Sequence, residues 1–490
     1  MTVPLRIAIV HYHLRPGGVT RVIEQAVAAL SREPVRTVVL SGAPLADRVS
    51  GGMKVVVAEG VDYTQGVSEH LGAGELVQRL RQAATAALGG APDVWHFHNH
   101  SLGKNCVLSR AVHAMAEDGD PLLLQIHDFA EDGRPSNYRD LIRYVADGDE
   151  QKLGARLYPQ GEHVHYALLN GRDLDFMQAA GVSASCIHAL PNPVSLYTEN
   201  EVAPIADDGP LFLYPTRAIR RKNIGEFILW SVVNGGESRR FAITLAPTSK
   251  VDRPFYERWV AFCRANGIAV EFEAGLQHPR AYPAMLKSSS AIVTTSIAEG
   301  FGLAFLEPWL ARRPLAGRDI PEMTREFKKA GLVFPALYDR LWLPVDWVGE
   351  EVLRSAIQAG LRELYKTYGK TSGPVEEERA VAMAFQDGRV DFARLNESMQ
   401  GKVILRLIGS PSSKSEIGPS CLGADKYSDA MLDSNARLTR EHFNLEQYAA
   451  RLMEIYRAVA GSAKSRTDEV VAGRLLDRFL DPERFYLLRT

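Results

Sequence analysis

The sequence predicts an α/β protein built from two doubly wound, Rossmann-like halves that face a central cleft. Three observations predict it. Short apolar runs alternate with amphipathic stretches of helical period along most of the chain. The alternation stops once, near 189–210, where Pro, Asn and Asp accumulate, and then restarts. A chain of 490 residues is also too long for one hydrophobic core.

In the first half, "RIAIVHYH" (6–13) reads as a buried strand and "VTRVIEQAVAALSRE" (19–33) as the helix after it. Further strands are expected at 35–42, 93–100, 121–128 and 164–170, with a helix at 73–90. Continuous apolar strands separated by helices imply a mostly parallel sheet covered on both faces. After the linker, strands are expected at 211–217, 241–247, 270–276 and 291–296, with a helix at 256–267 that ends in glycine. The stretch 370–436, which includes "SPSSKSEIGPSCLGADKYSD", reads as a loop-rich insertion. "NLEQYAARLMEIYRAVA" (444–460) returns to a strong amphipathic helix, and a last helical segment is expected around 467–480. No solenoid-type repeat is visible.

Composition excludes several classes. Apolar content of 46% and charged content of 24% are ordinary for a globular protein. A formal charge of −2 argues against a dedicated nucleic-acid binder. Cys106, Cys186, Cys263 and Cys421 lie far apart with no C-x-x-C pair, which suggests reduced thiols in a cytoplasmic protein. No run is long enough to span a membrane, and the N-terminus lacks the apolar core of a signal peptide.

Four motifs each follow an expected strand, so the fold would bring them to one cleft beyond the strands' carboxyl ends. "RPGGVTR" places Gly17 and Gly18 at the start of a helix, whose free N–H groups suit an anion. It is neither a dinucleotide fingerprint nor a P-loop, and a tight turn is the more frequent reason for such a pair. "YPTRAIRRKN" ends a strand at Arg217 and adds Arg220, Arg221 and Lys222, a cluster able to clamp a diphosphate or to form a solvated basic turn. "LQIHDF" puts His127 at a strand end, where it could meet a ligand hydroxyl or serve structure alone. "EGFGLAFLEPW" sets Glu299 and Glu307 either side of a Gly300–Phe301–Gly302–Leu303 turn. Pro308 lacks an N–H and belongs in a first helical turn, so the helix is expected to start near Leu303–Phe305. A carboxylate there would be repelled by phosphate, whereas its two oxygens match a vicinal diol such as ribose. Glu299 could do the same for sugar hydroxyls.

Taken together and in this order, "GGVTR", "IHD", Arg217 with Lys222 five residues on, and the E-x7-E spacing of Glu299 and Glu307 resemble the family-4 retaining glycosyltransferases, which have the GT-B architecture. The resemblance covers roughly 5–335 and the helix near 441–460. It implies an acceptor-side domain over 1–195, a nucleotide-sugar domain over 196–445, and C-terminal helices over 446–490 that pack back towards the first domain. It implies that Glu307 binds ribose and that Arg217 and Lys222 hold the diphosphate. Glu299 and the Gly300–Leu303 backbone would hold the donor sugar. Gly18, beside Gly17, would support the phosphates, and His127 would sit near the scissile bond. The catalytic set expected on this basis is His127, Arg217, Lys222 and Glu299. Asn223 stands where such proteins often carry glycine, "LPNPV" (190–194) replaces Pro-Asn-Gly, and "PWLARRP" replaces small residues. These departures bear on specificity more than on core chemistry.

"HFHNH" (96–100) has zinc-like histidine spacing but suggests no fourth ligand, so His98 or Asn99 on the acceptor side is the better expectation, with His13 of "HYH" as a further candidate. "DLD" (173–175) matches the acid-x-acid pattern of metal-dependent transferases, yet it opens a helix, where capping acids are expected. The expected reaction is retaining hexosyl transfer from a nucleotide-diphosphate sugar to a hydroxyl of a small, soluble acceptor. No cofactor, no metal, no nucleic-acid partner and no integral membrane contact are expected. A GT-B phosphorylase, a nucleotide-sugar epimerase and a non-catalytic sugar or nucleotide binder are the alternatives.

Overall fold

The computed structural model describes residues 4–44, 52–64, 71–194, 209–236, 238–277, 282–419, 421–465, 470 and 472–489. Most of the expected linker (195–208), the 195/196 boundary and residues 466–469 of the last helical segment lie outside them. Two compact units emerge, one of Met1–Pro193 with Phe443–Asp481 and one of Val194–His442 with Pro482–Thr490.

The first unit holds seven parallel strands: β1 (Leu5–His11), β2 (Val35–Ser41), β3 (Val55–Val57), β4 (Val94–His98), β5 (Leu122–Ile126), β6 (Val164–Leu168) and β7 (Ile187–Ala189). Their order is β3-β2-β1-β4-β5-β6-β7. Every residue of β4, β5 and β6 is buried, because helices cover both faces. The three-residue strands β3 and β7 are too short to carry a periodic signal and are absent from the sequence expectation. The helix Gly18–Leu30 packs Val22, Ile23, Ala26 and Leu30 into one core with Leu452, Tyr456 and Val459 of the helix Leu445–Gly461. Strand order reverses between β1 and β4, so a crevice opens at their carboxyl ends. His11–His13 and His98–His100 stand there.

The second unit holds a five-stranded parallel sheet of β8 (Leu211–Arg217), β9 (Arg240–Leu245), β10 (Ala291–Thr294), β11 (Leu315–Arg318) and β12 (Leu337–Tyr338), ordered β12-β11-β10-β8-β9. The reversal falls between β8 and β10, so the Arg217–Lys222 and Glu299–Leu303 segments share one crevice of this unit. The expected strand at 270–276 is corrected: Glu271 makes a single bridge to Ala242, and Ala274–Gln277 turns helical. Val270 and Phe272 alternate because both pack against the core, but Glu273 at φ +58° ends the extended chain.

The loop-rich reading of 370–436 is also corrected. The region contains the helices Pro374–Ala382, Glu397–Gly409 and Asp429–His442. β13 (Trp342–Pro344), β14 (Phe385–Gln386) and β15 (Arg389–Asp391) form a small antiparallel sheet ordered β13-β15-β14. Met399, Val403, Ile404 and Leu407 give the middle helix a buried stripe, while its many polar residues mask the period. Among the described residues, 410–419 and 421–428 keep to short 3-10 turns and irregular chain. Among the described residues no helix is long and apolar enough to cross a membrane.

Arg318, at the end of β11, is buried between two carboxylates. It donates to Glu226 Oε2 at 2.7 Å and to Asp391 Oδ1 at 2.8 Å. Glu226 also accepts from Tyr338 at 2.8 Å and from Asn223 at 2.8 Å. The triad joins β11, the helix Ile224–Asn234 and β15. Removing one acid leaves a buried guanidinium undercompensated, so Glu226→Ala should lose about 3–5 kcal/mol in urea unfolding. Adding Arg318→Met should recover part of that loss; a double variant as unstable as the sum of the singles would contradict the coupling.

Candidate functional site

In the second unit the cations follow β8. Arg217 is exposed and donates to the Ala246 carbonyl at 3.3 Å, leaving most of its fork open. Residues Arg220–Lys222 form a 3-10 turn that ends at Asn223 with φ +49°. Asparagine tolerates this left-handed conformation, which explains why it can stand where glycine is common. Tyr214 and Thr295 both donate to the Lys222 carbonyl at 3.0 Å and fix the turn from below. The Lys222 ammonium pairs with Glu299. Burial pushes the Glu299 carboxyl up, but Lys222 and Arg221 outweigh it and hold the group below the usual range. One member of the expected basic cluster is corrected. Arg220 is spent on Glu397, with contacts of 2.7 and 3.1 Å, and lies 3.9 Å over the Phe255 ring. It is therefore a structural cation.

The turn between the glutamates presents backbone. Phe301 is buried with its ring edge-on to Phe327 at 5.9 Å, and Gly302 sits at φ +87°, where a side chain would be strained. Leu303–Phe305 is a 3-10 turn and Glu307 opens a helix of only four residues. One turn has little dipole to offer an anion. Glu307 is 8% exposed and accepts from the Tyr282 hydroxyl at 2.8 Å. Tyr282 has no motif around it that would have marked it in the sequence.

In the first unit Gly17 is the N-cap of the helix Gly18–Leu30, with extended backbone and no side-chain cap. A Cβ at Gly18 would meet nothing within 4 Å, so the chain itself does not demand glycine there. His13 lies edge-on to Tyr63, ring centroids 4.6 Å apart, and Tyr63 is 43% exposed. Asn99 is buried, and its Oδ1 accepts from the backbone N–H of His127 at 2.7 Å and of Asp128 at 3.2 Å. His98 is fully enclosed, with Nδ1 2.8 Å from His127 Nε2. The expectation that His98 or Asn99 lines an acceptor surface is therefore corrected to a supporting place behind His127, which is 7% exposed.

The zinc-like histidines are spent on protein partners. His96 contacts the Tyr456 hydroxyl at 2.8 Å and Gln125 at 3.0 Å, and His100 contacts the Leu157 carbonyl at 2.8 Å. Among the described residues no group of three or more His, Cys, Asp or Glu side chains is placed to hold a metal ion. Asp173 lies in the first turn of a helix capped by Asn170 and pairs with Arg172 at 2.6 Å. All four cysteines are free thiols.

No family model matches the chain. Over 524 aligned positions it is 22% identical to the mannosylglucosyl-3-phosphoglycerate synthase of Petrotoga mobilis, with 98% of each chain covered. Among solved structures it is similar to the Anabaena HepE protein in complex with UDP and glucose (13% identity, TM-score 0.51) and to the sucrose-phosphate synthase of Thermosynechococcus elongatus (14% identity, TM-score 0.50). Both matches span 92% of this chain and 98% of the other. The fold is the GT-B fold of two Rossmann-like domains.

Burial pushes His11 and His96 down to about 3, His100 and His127 to about 4, and His98 well below its ordinary value. Near neutral pH all five are uncharged in the folded chain, whereas an unfolded chain protonates them below about 6.5. The unfolded state then binds more protons, so stability rises with pH between about 4 and 6.5 and is lost on acidification. Each histidine should contribute up to about 1.4 kcal/mol per pH unit in that window. Denaturation followed by a probe in the first unit should show this slope; a flat profile from pH 7 to 5 would contradict it.

Proposed function

We propose that this chain is a retaining glycosyltransferase of the family-4 type that moves a hexosyl group from a nucleotide-diphosphate sugar to a hydroxyl of a small, soluble acceptor. The observation that carries the proposal is the Lys222–Glu299 pair, at the crevice of the second unit's sheet, with Arg217 exposed at the end of β8 five residues before Lys222. A cation and an acid meet where a diphosphate and the sugar attached to it would need one each. The full-length likeness to a mannosylglucosyl-3-phosphoglycerate synthase supports transfer to a sugar-bearing, phosphoglycerate-type acid.

In this reading Arg217 and Lys222 carry the charge that develops on the departing diphosphate, usually the largest catalytic term. Glu299 and the Gly300–Leu303 backbone orient the sugar, and Glu307 takes the ribose diol. Gly17 and Gly18 leave room for phosphate oxygens. As the bond to the anomeric carbon breaks, a diphosphate oxygen accepts the proton of the attacking hydroxyl on the same face, so configuration is retained without a protein nucleophile. The reading invokes no cofactor or metal, and free thiols suit a cytoplasmic setting.

The test is nucleoside-diphosphate release from a panel of UDP-, GDP- and ADP-sugars with pooled small acceptors, including glycosylated hydroxy acids. One donor should give acceptor-dependent release. Glu307→Gln should lower donor kcat/KM about 10- to 100-fold, the range for a hydrogen bond to a charged group. Lys222→Met should lower kcat about 100-fold or more. Turnover of a glycoside with inorganic phosphate and no nucleotide would replace the transferase reading with a phosphorylase.

A further inference from the structure

We propose that His98 is a positioning residue that fixes the tautomer of His127, so that His127 donates a hydrogen bond from Nδ1 to an oxygen of the bound sugar or acceptor. The role for a bound sugar rests on the transferase reading above; the tautomer does not.

The two rings lie with planes 14° apart, and His98 Nδ1 is 2.8 Å from His127 Nε2. One of these nitrogens must carry the proton and the other the lone pair. If His127 supplied the proton from Nε2, the single proton of a neutral His98 would sit on its own Nε2. That atom is buried with no hydrogen-bond partner among the described residues. A buried, orphaned N–H is a rare defect in folded proteins and costs its full desolvation penalty. If His98 donates from Nδ1, only a lone pair faces the closed side. The second arrangement makes His127 Nε2 an acceptor and places its proton on Nδ1.

The surroundings hold the pair in this state. Asn99 Oδ1 anchors the His127 backbone at 2.7 Å. The His98 carbonyl, which can only accept, takes His11 Nδ1 at 3.4 Å, so His11 is also protonated on Nδ1. His127 Nδ1 is the ring nitrogen not committed to His98, and the residue is slightly exposed. Burial keeps both rings uncharged near neutral pH. His127 is then a neutral donor aimed at an oxygen lone pair, and Nδ1 cannot take a proton from an attacking hydroxyl. That agrees with a mechanism in which a diphosphate oxygen receives this proton.

The experiment is a long-range proton–nitrogen correlation spectrum of the full-length, ligand-free protein labelled with 15N-histidine, at pH 7. The His127 signals are assigned by their loss in His127→Gln. The expected result is a protonated-type nitrogen at Nδ1 and an unprotonated-type nitrogen at Nε2. The reverse pattern, or averaged shifts from exchanging tautomers, overturns the proposal. In the second arm His98→Val should lower kcat about tenfold or more with donor KM within about twofold, as for outer partners of functional histidines. His98→Asn, which retains an amide donor, should restore part of it. Since His98 is buried and a variant can misfold, the wild-type spectrum decides alone. A confirmed tautomer in a protein that turns over no nucleotide sugar would sink the transferase reading and leave the pair standing.

Discussion

The cations of the second unit depend on the buried guanidinium of Arg318. It holds Glu226, which receives Asn223 at 2.8 Å, and Asn223 accepts from Gln400 at 2.9 Å. Asn223 is the left-handed residue directly after Lys222, so this chain of bonds sets where the Arg217–Lys222 segment turns into its helix. A buried ion triad gives little net stability against an apolar replacement, because desolvation offsets most of its Coulomb gain. What it supplies here is register. β11, β15 and the helix after Lys222 cannot shift separately without stranding a charge.

Lys222 and Glu299 face a different constraint. They neutralise one another, at a site where burial disfavours either charge alone. A diphosphate and a sugar entering this crevice would meet an ammonium and a carboxylate already desolvated and aimed. In the proposed reaction that preorganisation would lower the reorganisation needed when charge develops. The Tyr282–Glu307 contact is a comparable case, since a diol reaching Glu307 must share the carboxylate with a phenol.

The core of both sheets was legible because parallel strands buried on both faces read as apolar runs. Glu299 and Glu307 stand out in the sequence as two acids around one glycine turn, but their partners Lys222 and Tyr282 are announced by no local pattern. Glu273 shows why the strand at 270–276 was not: one left-handed residue ends an extended run without altering its hydrophobic pattern. The helices of 370–436 were hidden by polar outer faces. The Arg220–Glu397 pair is hidden in the sequence because its members lie 177 residues apart, and no local pattern announces which of three adjacent cations a distant acid will claim. The His98–His127 bond is of the same kind. Period-two alternation puts His96 and His98 on one side of β4, but only the neighbouring strand β5 determines that His98 ends behind His127.

The most direct test of the central claim is a crystal structure of the chain with a nucleoside diphosphate. The account predicts phosphate oxygens within hydrogen-bond distance of Lys222 Nζ and the Arg217 guanidinium, with the ribose diol on Glu307. A nucleotide bound at full occupancy away from these three residues, with the Lys222–Glu299 pair undisturbed, would contradict it.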